Sequence, residues 1–260
     1  MKYNNETLGA LALIFAGVFL SFGGVIIRFM ESSSAWQITG YRSITFSLAI
    51  LLYILIKYKK DTPHAFKKIG HSGILIALIL GFSNTCFVWG MSTTTVSNAV
   101  FIMSTGPLFA AICSYFFLKR KIGKKTFIAI AGSMFGITIM FSGGMESSNY
   151  IGNIIILGVP IGFAFQLTLL NYNSHIDFMP ATFLGGVFSS LIGFIFMANL
   201  DISTHDLLLC LFMGAFQVGI GFMLITIGSR YIPPHRAALF LLMEPCLLYT
   251  SPSPRDNGRS

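Results

Sequence analysis

Eight stretches of this chain are long and apolar enough to cross a lipid bilayer: residues 8–29, 36–56, 72–91, 96–117, 126–142, 151–170, 180–198 and 206–228. A ninth begins near Arg236. A helix needs about 20 apolar residues to span the hydrocarbon. Water is absent there, so the backbone must satisfy its own N–H and C=O groups, and helices do this within one segment. Apolar residues make up 54% of the 260 and charged residues 10%, against roughly 25% charged in a soluble domain. The connections are short, so no soluble domain hangs off the chain, and a water-soluble core cannot shield eight such runs. The first run is too long for a signal-peptide core, and Lys2 is balanced by Glu6 before it. Ser33, Ser34 and Ala35 offer a cleavage-like site, yet the run reads as a retained helix. The fold class expected is an all-α polytopic membrane protein.

The net charge of +8 is not spread evenly. Lys57, Lys59, Lys60, Lys67 and Lys68 fill the connection after the second run, and Lys119, Arg120, Lys121, Lys124 and Lys125 the one after the fourth. Arg230 and Arg236 flank the one after the eighth. The alternate connections carry Glu31, Glu146, Asp201 and Asp206. This is the positive-inside pattern. It places the N-terminus in the cytoplasm and explains the basic clusters without a nucleic-acid partner; the plasma (inner) membrane of a bacterium is the expected location.

Residues 81–107 lie over residues 219–245 at one offset, 138, the difference between 219 and 81. Gly81/Gly219, Gly90/Gly228, Ala99/Ala237 and Pro107/Pro245 coincide. Glycine and proline are the residues least exchangeable on backbone grounds. The two copies begin in the third and eighth runs, five crossings apart, so they run in opposite directions. An inverted-topology repeat follows, an arrangement typical of secondary transporters whose solute site lies near the midplane. Gly132 to Gly136 and Gly158 to Gly162 are GxxxG spacings that allow close helix approach. Pro107, Pro160 and Pro245 fall inside apolar runs and are expected helix breaks, which line a solute path or serve as plain kinks.

The run Ser97-Asn-Ala-Val-Phe-Ile-Met-Ser-Thr-Gly-Pro-Leu-Phe109, the basic Leu118-Lys-Arg-Lys-Ile-Gly123 and the run Arg236-Ala-Ala-Leu-Phe-Leu-Leu-Met-Glu-Pro245 resemble the EamA-like members of the drug/metabolite transporter superfamily. Glu244-Pro245 fits that family's second repeat, whereas the basic connection lacks the Glu often found there. The resemblance implies ten helices in two five-helix units, about eight and a half of them present here: 8–142 as the first and 151–245 as an incomplete second. It also implies a secondary transporter that exports or exchanges a small metabolite by alternating access. The solute, protons and the bilayer are the expected partners, with a second copy of the chain as a further candidate. A non-transporting membrane scaffold and a membrane-embedded enzyme are the rival readings.

Charged and amide groups are costly in lipid, so each is a site candidate. Glu244 lies roughly 12 Å into the ninth run and either carries a proton, binds a cationic group or is held by a neighbouring hydrogen bond. Arg42 lies roughly 9 Å along the second run and either snorkels outward or binds an anion. Asn84, Gln166 and Gln217 bridge helices or contact solute. Trp89, with Trp36, fits the aromatic belt at a membrane interface or walls the mouth of a cavity. Cys86, Cys113 and Cys210 lack metal or redox spacing and read as packing residues. No phosphate-loop, HExxH or GxSxG spacing occurs, so no cofactor or catalytic residue is expected and energy is expected from a gradient. Residues 246–260 resemble a translated sequencing-library adapter and are expected to be non-native.

Overall fold

The computed structural model describes residues 2–30, 33–119, 123–141, 150–244 and 247. Glu31, Arg120, Lys121, Glu146, Pro245 and all of the expected non-native tail except Leu247 lie outside them. The helices in chain order are α1 (Lys2–Arg28), α2 (Ala35–Tyr58), α3 (Thr62–Lys68), α4 (Gly70–Thr93), α5 (Val96–Met103), α6 (Gly106–Leu118), α7 (Lys124–Phe141), α8 (Tyr150–Tyr172), α9 (Met179–Phe196), α10 (Thr204–Phe212), α11 (Gly219–Gly228) and α12 (Pro234–Leu241). Among the described residues seven helices are long and apolar enough to cross a membrane: Asn5–Ile27, Ala35–Lys68, Gly70–Thr93, Asn98–Leu118, Tyr150–Tyr172, Met179–Phe196 and Thr204–Gly228. They fall on the first four and last three complete runs read from the sequence. The run 126–142 falls on α7, an 18-residue helix.

Helix starts follow local chemistry. Ser34 caps α2 by a reciprocal capping box: its Oγ accepts from the Gln37 N–H, and Gln37 Oε1 accepts from the Ser34 N–H at 2.8 Å. Gln37 then donates from Nε2 to Asn199 Oδ1 and to the Asp201 carbonyl, both at 2.8 Å, tying this end of α2 to the α9–α10 connection. The basic connection after α2 is itself helical, through a 3₁₀ turn at Lys59–Asp61 and α3, where Pro63 takes the first-turn place that costs no hydrogen bond.

At the other end of α2, Lys57 Nζ and Tyr58 Oη both donate to Asp177 Oδ2 at 2.5 Å, and the Met179 N–H donates to Oδ1 at 3.0 Å. Burial pushes the Asp177 carboxyl up, but these hydrogen bonds outweigh it and hold it below the ordinary aspartate range. A carboxyl depressed on folding stabilises in full above its unfolded value, about 3.9, and loses that contribution as pH falls through the folded value. Asp177→Asn is therefore expected to lower the stability at pH 7 by about 1 kcal/mol or less, because Lys57 is 37% exposed. The gap to the unaltered chain should close in melts taken below about pH 4; a constant gap would contradict the assignment.

The bundle is apolar outside as well as inside. Ile56, Phe116 and Ile195 are 67%, 71% and 72% exposed, a surface suited to lipid and unsuited to water. In its interior α9 packs against α2 and α4, and α4 against α8. Small residues set these approaches. A Cβ on Gly162 would collide with Ser83 Oγ and one on Gly158 would lie 3.0 Å from Cys86 Sγ, so the Gly158–Gly162 spacing is a helix contact with α4. Gly132 faces open space, which removes it from the expected close packing; the surroundings of Gly136 lie outside the described side chains.

Candidate functional site

One cavity of about 90 Å³ gathers four of the five charged and amide candidates read from the apolar runs. Arg42 from α2, Asn84 from α4, Gln217 from the segment between α10 and α11, and Glu244 after α12 all line it, together with Pro107 and Pro160. Leu20, Phe87, Met103, Phe163, Phe222 and Leu241 supply apolar wall. Small-molecule sites commonly combine such a wall with a few placed polar groups.

Arg42 does not snorkel: it is 1% exposed. Its Nη2 donates to Asn84 Oδ1 and, at 3.4 Å, to the Asn84 carbonyl, and its guanidinium carbon sits 5.7 Å from the Phe87 ring centre. Asn84 is held in turn. Its Nδ2 donates to Ser43 Oγ and Ser189 Oγ at 3.2 Å each, and Ser43 Oγ donates to Ser189 Oγ at 3.0 Å. This amide and hydroxyl network joins α2, α4 and α9 and turns the Asn84 oxygen toward the guanidinium.

Gln217 belongs to a π-helical segment, Met213–Val218, inserted in the long Thr204–Gly228 helix. A π insertion shifts the register of the side chains it carries. Gly214 in this segment lets it lie on α2, since a Cβ there would overlap the Arg42 carbonyl. Gln217 Nε2 donates to the Leu20 carbonyl of α1 at 2.9 Å, and its Oε1 has no partner among the described residues. The Glu244 carboxyl makes no ion pair or hydrogen bond with another described residue.

The expected break near Pro107 coincides with an interruption: α5 stops at Met103 and α6 starts at Gly106. Ser104 Oγ donates to the Val100 carbonyl and Thr105 Oγ1 to the Ile102 carbonyl, both at 2.6 Å, so side chains take up part of the backbone's hydrogen bonding at the gap. Pro160 differs from expectation. It lies inside a continuous α8, where the lost N–H removes a single rung of the ladder. Two further sequence candidates are outside the cavity. Gln166 is fully buried in α8 with neither amide atom partnered among the described residues. Trp89 packs on Trp36, ring centres 5.0 Å apart, and is 36% exposed. Ser83 was not singled out, yet it lines the cavity with an Oγ that has no partner among the described residues; its place beside Asn84 in mid-run was the available signal. Among the described residues no three His, Cys, Asp or Glu side chains group to hold a metal.

Residues 7–142 match the profile of the EamA-like transporter family. An "Uncharacterized transporter YetK" of Bacillus subtilis (strain 168) is 26% identical over 204 residues, 74% of this chain and 59% of its own, so the chain spans under two thirds of that relative. An "S-adenosylmethionine uptake transporter" of Rickettsia bellii is 30% identical over 104 residues, 40% of this chain and 35% of its own. A solved crystal structure superposes with a TM-score of 0.72 at 13% identity, covering 95% of this chain and 90% of its own, a likeness of fold alone.

Proposed function

Because the chain belongs to the EamA-like transporter family, we propose that this multi-pass membrane protein is a secondary transporter. In this reading it moves a small organic solute across the membrane by alternating access, as an exporter or exchanger, through the cavity around Arg42, Asn84, Gln217 and Glu244. The observation that carries it is the pairing of the cavity wall. Asn84 and Phe222, Met103 and Leu241, and Gly106 and Glu244 all line the cavity, and each pair is separated by the same 138 residues as the duplicated block. The short helices follow the same rule, Val96–Met103 recurring as Pro234–Leu241. This supports two inverted units, 8–142 and 151–245, meeting at a shared site. Residues far apart in the chain thus build one cavity from equivalent positions, which a scaffold has no need to do.

Orientation follows the charge pattern. Lys57 meets Asp177, and Arg230 Nε donates to the Ser174 carbonyl at 3.0 Å, so these residues share one face, which we assign to the cytoplasm of a bacterium together with the N-terminus. Asp201 lies at the opposite end of α2, where Gln37 holds it. Glu244 is the assigned proton carrier. Proteoliposomes holding the chain are expected to show solute flux driven by a pH gradient, and Glu244→Gln is expected to abolish the pH dependence while leaving counterflow exchange. A pH response unchanged in Glu244→Gln removes Glu244 from the mechanism. Absence of flux for every solute in a metabolite panel favours the scaffold.

A further inference from the structure

The charged groups of the cavity wall, Arg42 and Glu244, are not paired with each other. Arg42 carries five N–H donors, of which, among the described residues, only Nη2 finds acceptors, both on Asn84. Nε meets none, and no carboxylate of a described residue is within ion-pair distance. Glu244 lines the same cavity without closing on Arg42. The face of Phe87 offsets a small part of the hydration that the cation has lost. A buried cation normally has a counter-charge or a functional one supplied from outside. Here the missing partner is an anion, and the cavity is where it enters.

We propose that Arg42 is the docking point for the carboxylate of the transported solute, and that the cavity selects small monoanionic acids with an apolar body. The inference rests on the transporter reading above. A guanidinium offers a planar fork that matches two carboxylate oxygens. Asn84 occupies one side of that fork and fixes its orientation, leaving the Nε side unspent. Ser83 lines the same cavity, and its Oγ, without a partner among the described residues, offers a second donor. Phe87, Met103, Phe163 and Phe222 receive the apolar body. Glu244 sets the charge: with its carboxyl carrying the transported proton, the wall holds the single positive charge of Arg42, which a monoanion balances, whereas a dianionic phosphate ester leaves a negative charge over beside that carboxyl.

Thermal melts of the purified chain test this with acetate, butyrate and phenylacetate, each beside its neutral amide, and with phenyl phosphate. A ligand that binds the folded chain raises its melting temperature by mass action. At least one acid is expected to bind tenfold or more tightly than its amide and than phenyl phosphate. Arg42→Gln should erase the preference for acid over amide, and Arg42→Lys should keep part of it. Because the substitution removes an unpaired buried charge, ligand-free Arg42→Gln is expected to melt no lower than the unaltered chain. If that variant does not fold, the ranking of acid, amide and phosphate on the unaltered chain decides alone. No response to any acid, equal response to acid and amide, or preference for the phosphate overturns the proposal. Flux of the same acids into proteoliposomes separates the two readings. Selective acid binding without flux keeps the docking site and removes the transporter. Flux of other solutes, indifferent to the acids and to Arg42→Gln, keeps the transporter and overturns the docking site.

Discussion

Replacing Asn84 with leucine is expected to destabilise the chain by about 3 kcal/mol, the cost of leaving a buried charge without its partner. Two effects compete for the credit. Interhelical hydrogen bonds inside bilayers average about 0.6 kcal/mol, so losing the Asn84 bonds to Ser43 and Ser189 is minor. Those hydroxyls also keep each other at 3.0 Å, and Thr85 Oγ1 lies 3.3 Å from Ser189 Oγ. The larger effect is on Arg42, whose only acceptors among the described residues are the Asn84 carbonyl and Oδ1. The backbone carbonyl survives the substitution at a long 3.4 Å; the side-chain oxygen does not. A double-mutant cycle isolates this. Arg42→Leu with Asn84→Leu should melt well above Asn84→Leu alone, with a coupling of roughly 1.5 kcal/mol or more. Additive single effects would show that Asn84 stabilises by packing and that the guanidinium does not depend on it.

Most of the cavity was legible because the cost of a polar group in lipid does not depend on tertiary detail. Arg42, Asn84, Gln217 and Glu244 each interrupt an apolar run, and all four face one space. The rotation of a helix about its axis is harder to read, since a run that is apolar all round has no preferred face. Gln166 illustrates this: it sits in mid-run like Asn84, but α8 turns it into the protein away from the cavity. For Trp89 the information was present. It lies five positions after Asn84, roughly 140° around the helix, and so cannot share the face that Asn84 presents. Proline alone did not predict breaks. Pro107 follows two hydroxyl residues, Ser104 and Thr105, that bond carbonyls of the preceding turn, whereas the turn before Pro160 contains none. The third apolar layer of information, which small residues mark tight contacts, was read only for Gly pairs. A further close approach lies at Gly186, Ser189, Ser190 and Gly193 of α9, where serine does the work of glycine in a small-xxx-small pattern.

At that contact Gly193→Ala is expected to be among the most damaging single-methyl changes in the chain. Its added Cβ would overlap the Gly40 backbone nitrogen and lie 2.6 Å from Gly40 Cα and 2.9 Å from the Trp36 carbonyl oxygen. Ordinary carbon contacts need about 3.5–4.0 Å, so α2 and α9 must part by about 1 Å, and the obstacle is backbone, which has no rotamer to move. Overpacking costs about 1–3 kcal/mol, and this case belongs at the top of that range. Two neighbours serve as controls. Gly40→Ala meets chiefly the flexible end of Met197, its Cε 2.9 Å away, and is expected to cost less. Gly132→Ala meets nothing within 4 Å in the middle of α7 and should be neutral or stabilising by up to about 1 kcal/mol through helix propensity. Melting temperatures in the order Gly132→Ala, Gly40→Ala, Gly193→Ala, highest to lowest, are the expected result; equal values for the last two would mean that the helices are not held in backbone contact. The consequence reaches the cavity, because α2 carries Arg42 less than one turn beyond Gly40, and α9 carries Ser189, which anchors Asn84. A wedge at Gly193 should therefore weaken any solute that Arg42 holds, even though no atom of Gly193 lines the cavity.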